Sequence, residues 1–553
     1  MHRALIALAA LVAMREAAAM PPPQYLAPAK LSVTVQGEHR IDAVDYEEEA
    51  RAYYRGKLIM RFSRTSALYG AYVAVEERNG PDRTGEDDSR RSYTWSLAVR
   101  DASPYVALYV GNYYVNFGSG LLIGGWMPSN PDVFFSRDAI PRRETFAPCT
   151  SGNPLYAYRG GALALRTPGE GDVIATLHPF YSSKERYLDP KTADSGATNS
   201  SIVSMDYKYE QREAWSRPVE LVTWGAAAAL HIIESFLLQA HYVNTGVSFY
   251  SGDALEWDRD APGNDDRGIV SLDGYGALAE YRDRFVRIFV EHDRTRRLLR
   301  GDDGARGETC GAGSVGGLQF RHPLVSLSII GKSTDADYYA PFQSSVGARS
   351  PEEAWFVNAA VELARGLALG GAVSSQRPHL LAPGERECAA VIRERVSLRY
   401  IPSDRLSVEL AGRRYEGRER GEEREREQAQ GNALAWPWES CGVSARALFQ
   451  RQDGREWSDL LGGGIAVRWR RRVECALEYA KARIGGENRL YAVVSPLGGA
   501  NIPGIFIEET SHVAAARLRI TWPPVTLAAR YLYQFTDEAP LRTRMEFFAS
   551  VRL

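Results

Sequence analysis

The last twelve residues, Arg542 to Leu553, constrain the fold of this chain more than any other stretch. Odd positions carry Thr543, Met545, Phe547, Ala549, Val551 and Leu553; even positions carry Arg542, Arg544, Glu546, Phe548, Ser550 and Arg552. Side chains of a β-strand point alternately to its two faces, so this segment has one apolar face and one charged face. A soluble sheet would use such a strand to cover a core. A membrane barrel would turn its apolar face to lipid and its charged face to a lumen.

The same unit recurs along the chain from about Leu31. Two alternating segments flank a very short turn, and a longer polar stretch follows. Val513 to Trp522 and Val525 to Phe535 flank Pro523-Pro524; Leu460 to Trp469 and Val473 to Ile484 flank Arg470-Arg471-Arg472. Val391 to Ile401 and Leu406 to Tyr415 flank Pro402-Ser403-Asp404. Further turns fall at Arg365-Gly366, Arg321-His322-Pro323, Asp283-Arg284, Ile233-Glu234-Ser235 and Pro168 to Asp172. Each reads as a β-hairpin. Residues 183–218, 249–273, 294–312, 334–353, 416–431 and 485–511 are long, charged and rich in Gly, Asp and Arg, and read as loops. Short turns at one end and long loops at the other are the asymmetry of outer-membrane barrels, and a soluble sandwich has no reason for it. No motif returns at fixed period, which excludes a solenoid. The expected fold is all-β: a transmembrane antiparallel up-and-down outer-membrane barrel of about 24 strands, within roughly 20 to 26.

Address and composition agree with that fold. His2 and Arg3, an apolar run from Ala4 to Met14, and Ala17-Ala18-Ala19 make a secretory signal over 1–19. A short segment, 20–29, precedes a barrel over 30–553. No later run reaches the ~20 uncharged apolar residues of a spanning helix; Trp224 to Val243 is interrupted by His231, Glu234 and His241. Net charge is −2, so no nucleic-acid partner is expected. Five scattered cysteines without a CxxC argue against a zinc site, no metal site is expected, and there is room for one opportunistic disulfide. The expected surroundings are outer-membrane lipid, a lipopolysaccharide-type surface and the barrel assembly machinery. Phe547, Val551 and Leu553 would form the C-terminal insertion signal, with Leu553 where such signals usually place Phe or Trp.

One region breaks the alternation. After the strand Tyr105 to Tyr114, residues 117–154 are too apolar for a free surface loop, with Phe117, Leu121, Trp126, Phe134 and Phe135. Gly111, Gly118, Gly120 and Gly124 call for tight turns or close packing. The segment either folds into the lumen as a constriction or lies as a covered loop on the surface. The run Gly111, Asn112, Tyr113, Phe117, Gly118, Gly120, Leu121, followed by Tyr158-Arg159-Gly160-Gly161-Ala162, resembles a family of bacterial outer-membrane barrels associated with helix-hairpin-helix modules. That family shows Gly-Asp-Tyr…Phe-Gly-Gln-Gly-Leu, then an aromatic-Arg-Gly-Ala strand, with an acidic strand end upstream loosely matched by Val75-Glu76-Glu77. The resemblance covers about 50–180. Asn112 stands for the Asp and Ser119 for the Gln, and no modules precede the barrel, so the nucleic-acid role they suggest is not carried over. The resemblance implies a location and a fold more than an activity.

Remaining constellations divide between chemistry and scaffolding. Arg517, Arg519, Arg530, Arg542 and Arg544 lie on the charged faces of neighbouring closing strands. They form either a basic wall that favours anions or a structural ladder paired with Glu546, Glu478 and Glu474. Tyr415 to Gln428, dense in Arg and Glu, reads as a solvated loop. Glu256, Asp258, Asp260, Asn264, Asp265 and Asp266 fail the EF-hand pattern at Pro262 and read as a plain acidic loop. Gly311 to Gly316 matches GxGxxG but lacks a Rossmann context. No GxSxG, HExxH or Walker motif occurs, and the nine histidines assemble no catalytic set. Neither an enzyme nor a cofactor is expected. The functional reading is a pore or transporter for small or anionic solutes, occluded by residues 117–154. A structural or secretion-associated surface barrel is the alternative, and a rim hydrolase the third reading.

Overall fold

The computed structural model describes residues 30–42, 51–64, 68–79, 89–103, 105–123, 145–149, 157–167, 173–188, 217–233, 235–249, 269–300, 306–338, 352–378, 390–419, 422–470, 472–485, 490–492, 505–507, 509–537 and 540–552. The signal segment, residues 20–29, the acidic stretch Glu256 to Asp266 and Leu553 lie outside them.

The chain runs through β1 (Lys30–Asp42), β2 (Arg51–Arg64), β3 (Leu68–Asn79), β4 (Ser89–Ser103), β5 (Val106–Val115), β6 (Phe146–Pro148) and β7 (Tyr158–Arg166). Next come β8 (Val173–Leu188), β9 (Arg217–Ile232), β10 (Phe236–Phe249), β11 (Ile269–Arg282), β12 (Val286–Arg300), β13 (Arg306–Arg321) and β14 (Val325–Thr334). Then follow β15 (Glu352–Ala364), β16 (Leu367–Pro378), β17 (Val391–Ser403), β18 (Leu406–Glu419), β19 (Glu422–Trp438), β20 (Cys441–Gln452) and β21 (Ser458–Trp469). The last are β22 (Val473–Arg483), β23 (Leu490–Ala492), β24 (Ile505–Ile507), β25 (Ser511–Trp522), β26 (Val525–Phe535) and β27 (Pro540–Arg552).

Twenty-five of these strands form one sheet. It closes because β1 pairs antiparallel with β2 on one side and with β27 on the other, Ser32 to Asp42 against Arg552 to Arg542. The three-residue β6 lies against β5 and is not part of the wall, which leaves twenty-four wall strands among the twenty-five. Closure leaves no open edge strand in the described wall, apart from the place near Gly111 where β4 and β5 part.

Exposure follows the alternation. On β12, Ile288 and Val290 are 50% and 55% exposed, whereas Phe289, Glu291 and Asp293 between and beyond them are buried. Met545 and Phe547 on β27 are exposed, as the apolar face of the closing strand requires. Trp438, Trp469 and Trp522 stand exposed at the short-turn ends of their strands, where interfacial aromatics belong. Arg470 and Arg472 lie over Trp469 and Trp522 at 5.2 and 5.5 Å, placing cations at headgroup height. The chain is an outer-membrane-type β-barrel.

Two stretches expected as loops are largely strand, and a third carries a short strand pair. β12 runs to Arg300 and β13 starts at Arg306, so Arg294 pairs with Ala312 inside the supposed loop 294–312. Tyr415 to Gln428 is a hairpin, not a solvated loop: Tyr415 pairs with Arg426 and Arg414 reaches Glu425 at 3.1 Å. Within 485–511, β23 and β24 pair, and Leu490 and Ile507 pack fully buried against Leu460, Val513 and Leu532. Beyond the bilayer a strand has water on its outer face, so its sequence loses the alternation that marks it. None of the four described cysteines forms a disulfide.

Candidate functional site

The motif residues mark the place where the chain leaves the wall. The β4–β5 ladder runs from Ser103–Val106 to Ser96–Gly111 and stops there. Gly111 has φ 92°, a conformation that costs an L side chain about 1–3 kcal/mol. A Cβ there would also lie 2.5 Å from the Trp95 carbonyl oxygen. Asn112 then takes over from the ladder, its Oδ1 accepting the Trp95 backbone N–H at 3.2 Å. Beyond it β5 pairs with β6 on the side vacated by β4, Tyr113 to Val115 against Pro148 to Phe146. Tyr113 is fully buried, its hydroxyl donating between the carbonyls of Tyr181 (2.7 Å) and Gly161 (3.0 Å). Gly160 leaves no room for a side chain, since a Cβ would sit 2.2 Å from the Tyr181 carbonyl oxygen. Arg159 is exposed, with its backbone N–H donating to Ser182 Oγ at 2.9 Å.

From Asn116 to Ile123 the chain makes a compact turn, with Gly118 and Gly120 at φ 57° and 88°. Phe117 N–H donates to Ile123 O at 3.2 Å, and Gly120 N–H to Phe117 O at 2.9 Å. Phe117 and Leu121 are fully buried and Ile123 nearly so, in one cluster with Leu278, Phe289, Val315, Ile330 and Phe356. Those partners come from β11, β12, β13, β14 and β15, and all point inward. Phe117 meets Phe180 edge-on at 5.6 Å between ring centroids, and Tyr338 Oη donates to Leu121 O at 3.1 Å. Each large apolar side chain buried this way contributes about 1.5–3 kcal/mol. Residues 117–123 therefore sit on the inner surface of the barrel. The rest of the stretch up to 144 lies outside the described residues.

Beneath that turn lie three buried ionisable residues that the sequence did not single out. His241, Gly276 and Asp293 are in register across β10, β11 and β12. Gly276 has no side chain to separate the other two; a Cβ there would lie 1.6 Å from Asp293 Oδ1 and 2.9 Å from His241 Nε2. As a result His241 Nε2 lies 3.0 Å from Asp293 Oδ1 and 3.9 Å from Glu291 Oε1. All three side chains are wholly buried. The turn rests directly on them: the Ser119 N–H donates to Glu291 Oε2, and Gly118 stands where a Cβ would strike the Glu291 carboxylate. A signal existed in Glu291-His292-Asp293, whose two acids share a strand face. Nothing local linked them to His241.

Among the described side chains the arginines do not form one patch. Arg517 and Arg530 face each other directly across β25 and β26, with Glu478 in electrostatic contact with both and with Arg446. Arg519 lies opposite Glu474 and lines a separate recess of about 860 Å³ at the short-turn mouth, with Arg405, Arg468, Arg472 and Trp436. There Arg468 stacks on Trp436 at 3.8 Å and reaches Glu474 at 3.4 Å. Arg542 and Arg544 pair by backbone with Gln534 and Leu532; their side chains lie outside the described residues.

Neither a family model nor a curated protein matches the chain. Among solved structures, the P pilus usher (PapC) translocation pore is 10% identical, covering 95% of this chain and 99% of that one at a TM-score of 0.49. The siderophore receptor PirA from Pseudomonas aeruginosa is 8% identical, over 97% and 81%, at 0.47. The FrpB iron transporter from Neisseria meningitidis (F5-1 variant) is 10% identical, over 95% and 82%, at 0.47. No likeness at these levels assigns this chain a cargo or a partner.

Proposed function

We propose that this barrel is a pore or transporter for small or anionic solutes whose lumen is occluded by the 117–154 segment. Twenty-four strands about 4.8 Å apart and tilted about 40° enclose a lumen roughly 45 Å across, backbone to backbone. A wall of that size leaks unless something fills it. The observation that carries the reading is the burial of Phe117 and Leu121 against five inward-facing strands, because apolar residues of a surface loop have no reason to line up with a lumen. Arg517 and Arg530 supply positive charge on the opposite part of the wall, moderated by Glu478. The resemblance of Gly111 to Leu121 and Tyr158 to Ala162 to the helix-hairpin-helix-associated barrels belongs to the same reading, since the motif is the plug and its supports.

Conductance in planar bilayers tests it. The wild-type chain should pass little current, and deletion of 117–154 should open a large, anion-favouring pore in protein that still shows the heat-modifiable migration of a folded barrel. Silence of both proteins would sink the pore and leave a structural or secretion-associated surface barrel.

A further inference from the structure

The buried triad under the plug has the geometry of a cation site. His241 Nε2 faces two carboxylates at 3.0 and 3.9 Å, and the candidate donor atoms all lie within 4.8 Å of one another. Two donors each about 2.1 Å from a single ion are about 3.0 Å apart at a right angle and about 4.2 Å apart when opposed. The two His241–carboxylate separations fall in that interval, so an ion enters with small side-chain adjustments and no movement of the strands.

The polar atoms of the triad are also unsatisfied. Both ring nitrogens of His241, Oε1 of Glu291 and both Asp293 carboxylate oxygens are buried without a hydrogen bond of normal geometry, although the Leu122 backbone N–H and the Glu291 carboxyl approach Asp293. Each such buried atom carries an uncompensated desolvation cost, and two adjacent carboxylates add mutual repulsion. Among the described residues neither acid pairs with a lysine or arginine. His241 is the only cation-capable partner that either has there. The cavity-making device, Gly276, is spent on bringing these donors together across an intervening strand. Ser119 Oγ, also buried, faces Glu291 beside its own backbone N–H bond to that carboxylate.

We propose that His241, Glu291 and Asp293 bind one first-row divalent metal ion of the Mn2+ to Zn2+ class, and that the ion fastens the 117–123 turn to the barrel wall. The donor set selects the class. One imidazole and two carboxylates suit zinc, iron or manganese. The absence of sulfur in the triad disfavours Cu(I), and three side-chain donors including a nitrogen are too few and too soft for Ca2+. The fastening follows from Glu291, which holds the Ser119 N–H with one oxygen and offers the other to the site. A metal would neutralise the acids on which the turn rests. The inference does not depend on whether the barrel conducts.

The test uses the full-length folded barrel in detergent micelles, stripped with a chelator and titrated with Co2+ near neutral pH. One Co2+ per chain is expected, with visible d–d absorption that Zn2+ abolishes by displacement. Glu291→Gln with Asp293→Asn, and separately His241→Gln, should weaken uptake by about 100-fold or more. Asp459→Asn, on the far side of the wall, should leave it unchanged. Heat-modifiable migration shows that each variant is folded. As a second readout, Zn2+ should slow hydrogen exchange at 117–123 in the wild type and not in His241→Gln. Failure of the folded wild type to take up Co2+ would overturn the site and leave a buried proton-sharing triad, as would uptake indifferent to the triad variants.

Discussion

Two regions of the wall present opposite inner surfaces. From β4 to β15 the inward positions carry Ala98, Tyr109, Phe180, Leu278, Phe289, Val315, Ile330 and Phe356, gathered with the 117–123 turn into one buried apolar cluster, beside the buried triad and the Arg287–Glu280 pair. From β18 to β26 the inward positions include arginines and acids in cross-strand contact: Arg446, Glu478, Arg517 and Arg530, with a smaller apolar cluster where β23 and β24 tuck in. The outward faces of the two regions are alike, with Val290 and Leu477 equally at home in lipid. Lipid imposes the same demand around the whole circumference. The lumen imposes none, so each region records what it touches: the 117–123 turn on one side, cross-strand charged neighbours on the other.

The comparison breaks first at Phe117. Phe117→Asp places an unpaired charge in the filled region, a cost of about 3–5 kcal/mol, and should release the plug. Released plugs appear as a rise in bilayer conductance and as new protease cleavage near 117–123; a variant as silent and as resistant as wild type would refute the packing account. Leu121→Ala removes apolar burial without adding charge, and should cost about 2–5 kcal/mol, read as faster hydrogen exchange confined to the turn. Gly118→Ala meets both a positive φ and the Glu291 carboxylate, with an expected cost of about 1–3 kcal/mol in the same assay.

On the charged side the effects should be smaller and different in kind. Arg517→Glu with Arg530→Glu should lower the anion-to-cation permeability ratio of the plug-deleted pore several-fold while leaving plug exchange rates unchanged. Exposed or half-exposed pairs of this sort contribute about 0–1 kcal/mol to stability. A permeability ratio that ignores both substitutions removes the anion preference and spares the barrel.

The smallest effect belongs to a turn outside the membrane. Asp283 Oδ1 accepts the N–H groups of Val286 and Phe285, each at 2.7 Å. These bonds, Val286 first, hold its carboxyl below the usual carboxylate range. A lowered folded-state value means that the turn gains from the ionised form above the ordinary Asp range. That gain is lost as pH falls through the lowered value. Asp283→Asn should flatten the acid limb of the stability profile slightly; an unchanged limb would show that the turn holds without the charge.

Much of the fold was legible in the sequence, because each strand carries its own instruction. In Val525 to Phe535 or in Arg542 to Val551, alternation states which side chains meet lipid, and a two-residue turn such as Pro523-Pro524 states where the chain reverses. Eleven such hairpins with an opening and a closing strand give the twenty-four that the wall contains. Reading failed where the instruction is not local. Arg294 to Arg300 and Tyr415 to Gln428 looked like loops because strands beyond the bilayer need no apolar face. Arg519 looked like a neighbour of Arg517 and Arg530, yet strand length carries it to the mouth recess with Arg468 and Trp436.

The site under the plug shows the limit most clearly. The sequence by itself determined that Gly111, Gly118 and Gly120 mark a break in the alternation. Only the tertiary structure decided that His241, Gly276 and Asp293 fall in register across three strands and that Ser119 closes over Glu291. The physical reason is that alternation has a period of two within a strand, whereas register between strands is set by turns and pairing far along the chain.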